Sequence, residues 1–530
     1  MKLCYLIIYS IVNLFLIKIT ISITGLSYWH KVLNSRDYKS KLTFLSNIYN
    51  NKIYMPFHNN KLDTSISNEY EIENIEVKLD HFNYHDNRSF FIKCLINYKN
   101  YKNYDSPTFF YTGNEGNIED FYNGSGFVTK TLAEKFGALI VFCEHRFYGD
   151  SHPFKQKHYN VDPYDIKYNQ YLTSEQALAD FSSIANILIF KKKLTKKIIA
   201  VGGSYGGMLS AWARMKYPNV FIGSIASSAP ILLFENPNEK FFNITSNTYL
   251  RYDDNSSYSS CVMRLKRGFN KLKELIDSNN LTDKTKEFIK SSFNICQSDI
   301  KLNNLKIFLD SLIDSSVFYA QYNYPYDFTM TEGVYIGGNP AKTICENTSN
   351  IDIKQSNEYS DILYLTALSD KFNKDFNLNC IDIEDKLDEN PNLWMYQACT
   401  EMIMPIYSDG KNDMYIKNIW NLKDYINKCV YIWNGDVRPY YIFDTFGGRN
   451  FKQEIKNYSN IIFVNGLMDP WYSGCPSKEY FDKEDFKRYV RVYEADSAHH
   501  LDLRLPNEND PSSMKQIRKE LISIISDWIK

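Results

Sequence analysis

Residues 197–201 form a short apolar run that ends in Gly202-Gly203-Ser204-Tyr205-Gly206, and a helical pattern follows over residues 208–217. Strand, G-x-S-x-G and helix in that order describe a nucleophile elbow. So sharp a turn holds Ser204 in a strained backbone conformation, and glycines at 202 and 206 let neighbouring main chain pass close by. The helix N-terminus then aims N–H groups, that of Tyr205 first, at negative charge developing beside Ser204. The elbow also demands a sheet around it, and the rest of the chain offers one. Residues 107–111 and 138–143 are buried-type runs, and residues 178–190 carry a helical period. Residues 222–226, 461–464 and 489–493 read as further strands, and residues 517–529 as an amphipathic helix. Short apolar runs alternating with helical stretches predict βα units and a parallel sheet, an α/β class fold.

A serine hydroxyl needs a base, and the base needs an acid to orient it. In α/β-hydrolases the order along the chain is Ser, then Asp or Glu, then His. Residues 461–464 run into Asn465-Gly-Leu-Met-Asp469-Pro-Trp471, which puts Asp469 where the acid belongs; Asp before Pro is also an ordinary turn. Residues 489–493 run towards Ala498-His499-His500-Leu-Asp502-Leu-Arg504. The chain has nine histidines and two stand here side by side, so one of the pair is the expected base. The second oxyanion donor comes from the loop after an early strand, here Gly113-Asn114-Glu115-Gly116. Asn114 and Glu115 would face the site and can also hold a charged substrate terminus.

Residues 231–440 break the pattern. They hold six of the ten cysteines and helical stretches such as 262–276, but no second set of strand and Gly-loop units. This segment reads as a cap inserted between two parts of one α/β domain, 73–230 and 441–530. Residues 26–72 are polar, rich in Asn and Lys, and read as a pro-segment or an added extension. Before them, Lys2, an apolar run over 3–17 and the small or polar Ser22, Thr24 and Gly25 describe a signal peptide over 1–25. Cysteine usage fits an exported chain with local disulfides, as do the sequons at Asn87, Asn243 and Asn280. Cys4 would leave with the signal, so 10 − 1 = 9 cysteines remain and at least one is unpaired. Lys+Arg 61 against Asp+Glu 62 gives no basic excess for nucleic acid. No cluster at metal-ligand spacing occurs, and no cofactor is called for. After signal removal no further segment is long and apolar enough for a membrane anchor.

Five motifs together resemble the S28 serine exopeptidases. They are Thr112-Gly-Asn-Glu-Gly, Glu144-His-Arg-Phe-Tyr-Gly-Asp-Ser-His-Pro-Phe, Gly-Gly-Ser-Tyr-Gly-Gly-Met-Leu, Asn-Gly-Leu-Met-Asp-Pro-Trp and Ala-His-His-Leu-Asp-Leu-Arg. The likeness runs from about Asp80 to the C-terminus. It implies an α/β-hydrolase fold with an inserted, largely helical cap, and a family that works in acidic lysosome-like or vacuolar lumens, or is secreted, often as a homodimer. It implies a triad of Ser204, Asp469 and His499, with His500 and Arg504 as a supporting pair, an imidazolium that would make activity pH-dependent. It implies an oxyanion hole at Tyr205 and Asn114, an apolar proline pocket at Met208, Met404 and Trp471, and bridges Cys261–Cys345, Cys296–Cys380 and Cys399–Cys429. A fourth family bridge has no counterpart, since neither residues 236–240 nor Tyr407 supply cysteine. Cys94, Cys143 and Cys475 are left without assigned partners. The substrates implied are peptides with proline near one terminus. Release of an N-terminal Xaa-Pro dipeptide would need acids for the ammonium, Glu115 and Asp382; release of a C-terminal residue would need donors for a carboxylate. The alternatives are a general esterase or lipase of the same fold and a catalytically silent binding module.

Overall fold

The computed structural model describes residues 69–530 except 157–158, 160, 162–164, 195, 235, 253–259, 331–332, 352–357, 385–392 and 482–489. The expected signal segment and nearly all of the 26–72 extension lie outside the described residues. Eight strands make one sheet: β1 (Glu71–Lys78), β2 (Ser89–Asn97), β3 (Thr108–Thr112), β4 (Leu139–Cys143), β5 (Ile198–Gly203), β6 (Phe221–Ser227), β9 (Ile461–Gly466) and β10 (Val490–Ala495). A separate two-stranded ladder, β7 (Phe328–Thr329) with β8 (Tyr335–Ile336), lies between β6 and β9 in the chain. The sheet order is β1-β2-β4-β3-β5-β6-β9-β10. β2 alone runs against the others, since it pairs antiparallel with both β1 and β4. This is the α/β-hydrolase fold. The central strands β3, β4 and β5 are buried at every residue, as strands covered on both faces must be.

The helix Tyr205–Lys216 rides close on the sheet because its inner positions are small. A Cβ placed on Gly207 would come within 2.8 Å of the Ser227 carbonyl on β6. The helix Ser174–Lys192 begins four residues before the apolar period at 178, since its first turn is polar and is capped by the Thr173 side chain accepting from Gln176 N. Arg146, from the Glu144-His-Arg motif, is fully buried and knits this layer together. It pairs with Asp180 at 2.6 Å and donates to the Leu79 and Tyr171 carbonyls.

Between β6 and β9 the chain is mainly helical, including Lys240–Leu250, Cys261–Asp277, Leu302–Gln321, Leu393–Thr400 and Leu422–Trp433. Three bridges, Cys261–Cys345, Cys296–Cys380 and Cys399–Cys429, tie it together. A fourth bridge joins Cys94 to Cys143, two residues left without partners in the sequence. They are register partners across β2 and β4, a pairing that exists only once the sheet order brings distant strands together. Among the described residues, Cys475 is the free, buried thiol. Replacing Cys94 and Cys143 together by Ser opens a 49-residue loop and is expected to cost about 2–4 kcal/mol in urea unfolding. Of the sequon residues, Asn87 and Asn280 are exposed, whereas Asn243 is half-buried within the helix Lys240–Leu250.

Candidate active site

The parallel strands β3, β5, β6, β9 and β10 end on one edge, so the loops after them converge. Ser204 follows β5 with φ 56° and ψ −126°, a left-handed conformation that a non-glycine residue holds only under constraint. The constraint is visible in the neighbours. A Cβ on Gly202 would lie 2.0 Å from the Gly206 carbonyl oxygen, and one on Gly206 would lie 2.7 Å from the Thr112 carbonyl. Thr112 Oγ1 donates to Gly206 O at 2.8 Å, which locks the end of β3 onto the elbow.

Asp469 and His499 meet directly. The Asp469 carboxylate splits its two oxygens: Oδ1 accepts from Trp471 N at 3.0 Å and Oδ2 from His499 Nδ1 at 2.6 Å. The turn reading and the orienting reading of Asp469 are therefore one structure, since the same side chain caps the 3-10 turn Pro470–Gly474. Both residues are buried, and His499 is further fixed through its backbone: its N–H donates to Gln321 O at 3.0 Å and its carbonyl accepts from Tyr324 Oη at 2.5 Å. Gln321 ends the helix Leu302–Gln321, so the helical stretch between β6 and β9 positions the histidine. With Nδ1–H given to a carboxylate, Nε2 is the nitrogen left to accept a proton. Ser204 Oγ takes no hydrogen-bond partner among the described residues; nucleophile and base in such sites often close up only with substrate bound.

Two backbone N–H groups close to Ser204 are already engaged. Ser204 N–H is used by Ser227 O and Gly113 N–H by Cys143 O. Tyr205 opens the helix, so its N–H has no partner within the helix. Asn114 is buried behind the elbow, its amide oxygen 2.9 Å from where a Gly206 Cβ would stand.

A narrow cleft opens at Ser204, walled by Glu115, Tyr205, Met208, Pro230, Trp394, Met404 and Trp471. Met208, Met404, Trp471 and Glu115 are thus brought together, as expected. Trp471 is held by its Nε1–H donating to Gln321 Oε1 at 3.0 Å and by the edge of Phe241. A larger depression, lined by Pro237, Tyr407 and Trp420 among others, includes none of these groups. Flat indole and flexible thioether walls suit a compact apolar ring. Trp471→Ala is expected to raise KM for a proline peptide about tenfold or more while leaving Ser204 reactive, which steady-state kinetics on the variant would measure.

Two expectations are corrected. Asp382 does not reach the cleft: it is exposed beside the Cys296–Cys380 bridge, where its carboxylate accepts from Gln297 Nε2 at 2.6 Å and Glu384 N at 3.0 Å. His500 is set against the imidazolium form. It is buried, stacked on His499 with ring centroids 3.6 Å apart, and burial with the nearby His499 and Arg504 pushes its pKa well down. Its Nε2 has no hydrogen-bond partner, and Arg504 turns instead to Tyr324 Oη at 3.4 Å. The neutral ring serves as packing beneath the elbow; a Cβ on Gly203 would strike it at 2.8 Å.

Sequence reasoning missed Trp394, Gln397 and Glu401. Spacing of three and four residues puts them on one face of the helix Leu393–Thr400 and its continuation, a signal that was there to be read. Gln397 donates to Tyr205 Oη at 3.0 Å, and the rings of Trp394 and Tyr205 lie 5.3 Å apart.

Comparison with known proteins shows the family. Residues 77–521 fit the family model described as serine carboxypeptidase S28. The chain is 32% identical over 473 residues to the lysosomal Pro-X carboxypeptidase of Bos taurus, covering 88% of this chain and 89% of that protein. It is 31% identical over 496 residues to the prolyl carboxy peptidase like protein 5 of Caenorhabditis elegans, covering 89% and 92%. Over 163 residues it is 37% identical to the thymus-specific serine protease of Homo sapiens, covering 30% and 29%. A match of that length, on top of the sheet order and the elbow, makes the chain a serine peptidase that belongs to the serine carboxypeptidase S28 family.

Proposed function

We propose that the protein is a serine exopeptidase that cleaves after proline near the C-terminus of peptides, releasing the last residue. The observation that carries this reading is the cleft: an apolar slot of Met208, Met404, Trp394 and Trp471 beside an elbow serine and a buried Asp469–His499 pair. In this reading proline fills the slot. Ser204 Oγ attacks the proline carbonyl carbon as His499 Nε2 takes the hydroxyl proton. The carbonyl electron pair becomes an oxyanion held by the Tyr205 N–H and a donor at Asn114. The tetrahedral species collapses, the C–N bond breaks, and His499 returns the proton to the leaving amine. Water then repeats the cycle on the acyl-enzyme and frees the peptide ending in proline.

Two observations favour release of a C-terminal residue. The relatives matched over nearly the whole chain include the lysosomal Pro-X carboxypeptidase of Bos taurus. Asp382, which an ammonium clamp would add to Glu115, is engaged with Gln297 away from the cleft. One observation favours release of Xaa-Pro dipeptides: Glu115 lines the cleft beside Ser204. The accompanying proposals are a signal peptide over 1–25, a pro-segment or extension over 26–72, a cap over 231–440 within the α/β domain of 73–230 and 441–530, an acidic lumen or secretion, and a homodimer.

A pair of blocked peptides at pH about 5 tests the reading, with Ser204→Ala as control. One is acetylated and ends in Pro-Xaa with a free carboxylate; the other has a free amine, begins Xaa-Pro and is amidated. Cleavage of the first alone is expected. Cleavage of the second alone would move the assignment to a dipeptidyl peptidase held by Glu115. If neither is cut while a lipid-like ester is, the chain is an esterase; if nothing turns over, it is a silent binding module.

A further inference from the structure

Tyr205 has two ends. Its backbone N–H stands beside Ser204, and its hydroxyl reaches into a buried polar network that the mechanism above leaves unused. Tyr205, Gln397, Glu401 and His145 are each almost wholly buried. The direction of each hydrogen bond around Tyr205 and Gln397 can be assigned. His145 Nδ1 lies 2.7 Å from the Arg146 carbonyl, which only accepts, so Nδ1 carries the proton. Burial pushes the His145 pKa down to about 4, so the ring is neutral and its Nε2 accepts. The Tyr205 hydroxyl, 3.0 Å from that Nε2, therefore donates to it. Tyr205 Oη in turn accepts from Gln397 Nε2 at 3.0 Å. The same amide nitrogen donates to Glu401 Oε1 at 3.0 Å, and Gln397 Oε1 accepts from Tyr148 Oη at 2.5 Å. Glu401 also accepts from Ser174 N, at 3.0 and 3.2 Å to its two oxygens. Each link has one direction, so the amide of Gln397 is clamped at three points and cannot turn without breaking a buried hydrogen bond.

We propose that Gln397 and Glu401 are positioning residues for the reaction: they hold the Tyr205 hydroxyl, and through that side chain the turn that sets the Tyr205 N–H beside Ser204. The proposal rests on the reading of Tyr205 as an oxyanion donor. It gives the helix Leu393–Thr400 a catalytic task besides walling the cleft with Trp394. It also joins the segment between β6 and β9 to the elbow by side-chain bonds, because Gln397 and Glu401 lie 193 and 197 residues beyond Ser204 (397 − 204 and 401 − 204).

Glu401 gives the network a titratable group. Burial pushes the Glu401 pKa up to about 7, against hydrogen bonds from Gln397 and Ser174 and the half-exposed Arg438, whose guanidinium is 3.9 Å away. The other groups facing it are Tyr148 and Tyr205 through Gln397, Tyr396, and Tyr441, which donates to Glu175; Glu115 is felt at Tyr148 and Tyr205 as well. Below pH about 7 Glu401 is neutral, and above it a buried negative charge acts on Tyr205. That charge opposes the oxyanion forming at the other end of the same residue, so kcat/KM falls as pH rises through about 7.

The test uses the full chain with Gln397→Leu, Tyr205→Phe, the double variant, and Glu401→Gln. The first readout is the rate at which a fluorophosphonate acylates Ser204, which does not depend on proline recognition. Each single variant at 397 or 205 is expected to slow acylation by about tenfold to a hundredfold, and the double variant to be no slower than the worse single. Glu401→Gln, which cannot ionise, is expected to lose the decline near pH 7. Single effects that multiply in the double variant, singles that acylate like the parent, or an unchanged pH profile in Glu401→Gln would each overturn the proposal. A purely structural role would lower Tm in Glu401→Gln and leave that profile in place. If the parent acylates but cuts no proline peptide, the proposed function fails while this test still reads out.

Discussion

Asp469→Asn is expected to lower kcat by about four orders of magnitude with little change in folding. The reason lies in how the carboxylate is divided. Trp471 N–H needs an acceptor at Oδ1, so an asparagine would keep its oxygen there and turn its NH2 towards His499 Nδ1. Nδ1 would then have to accept, the ring proton would move to Nε2, and the nitrogen facing Ser204 could no longer take a proton. The wrong tautomer, rather than a lost charge alone, is what disables the site. Stopped-flow or steady-state kinetics with a thermal melt measures both halves. A loss of under about tenfold with an unchanged Tm would mean that Asp469 only caps its turn.

Gly202→Ala is expected to be as severe for activity and severe for stability too. The added Cβ would stand 2.0 Å from Gly206 O, 2.3 Å from Gly206 C and 2.8 Å from Thr112 Oγ1. Two of those atoms are backbone of the elbow itself, so no rotamer change relieves the clash. The strand-to-helix turn must open, and with it goes the strained Ser204 conformation at φ 56°. A loss of about 3 kcal/mol or more in chemical unfolding is expected, with no acylation of Ser204. Near-parental stability and labelling would show that the elbow has slack the geometry does not suggest.

Most of the sheet was legible because central strands buried on both faces read as continuous apolar runs between Gly-rich loops. Residues 138–143 and 461–464 fall on β4 and β9 to within two residues at each end. The elbow was legible because it is local: five consecutive residues specify it. Asp469 and the His499–His500 pair stood out by strand-end placement and chain order, the resemblance implied His499 of the two, and the structure brings His499 Nδ1 to 2.6 Å from Asp469. What failed was whatever depends on burial or on partners far along the chain. His500 looked like a cation because a sequence does not show that its ring would be stacked under the elbow and desolvated. Asp382 looked like a clamp because its acidity was visible and its partner Gln297 was not. Cys94 and Cys143 needed the β2–β4 register to find each other. Gln397 and Glu401 were readable as one helix face, but the hydroxyl that Gln397 meets is nearly 200 residues away.

The central claim is that one serine, strained at the elbow and served by the His499–Asp469 pair, does the chemistry. Mass spectrometric mapping of a fluorophosphonate adduct tests it most directly. A single adduct on Ser204 is expected, absent in Ser204→Ala and formed orders of magnitude more slowly in His499→Ala. An adduct on another serine, or labelling of Ser204 at an undiminished rate without His499, would contradict it.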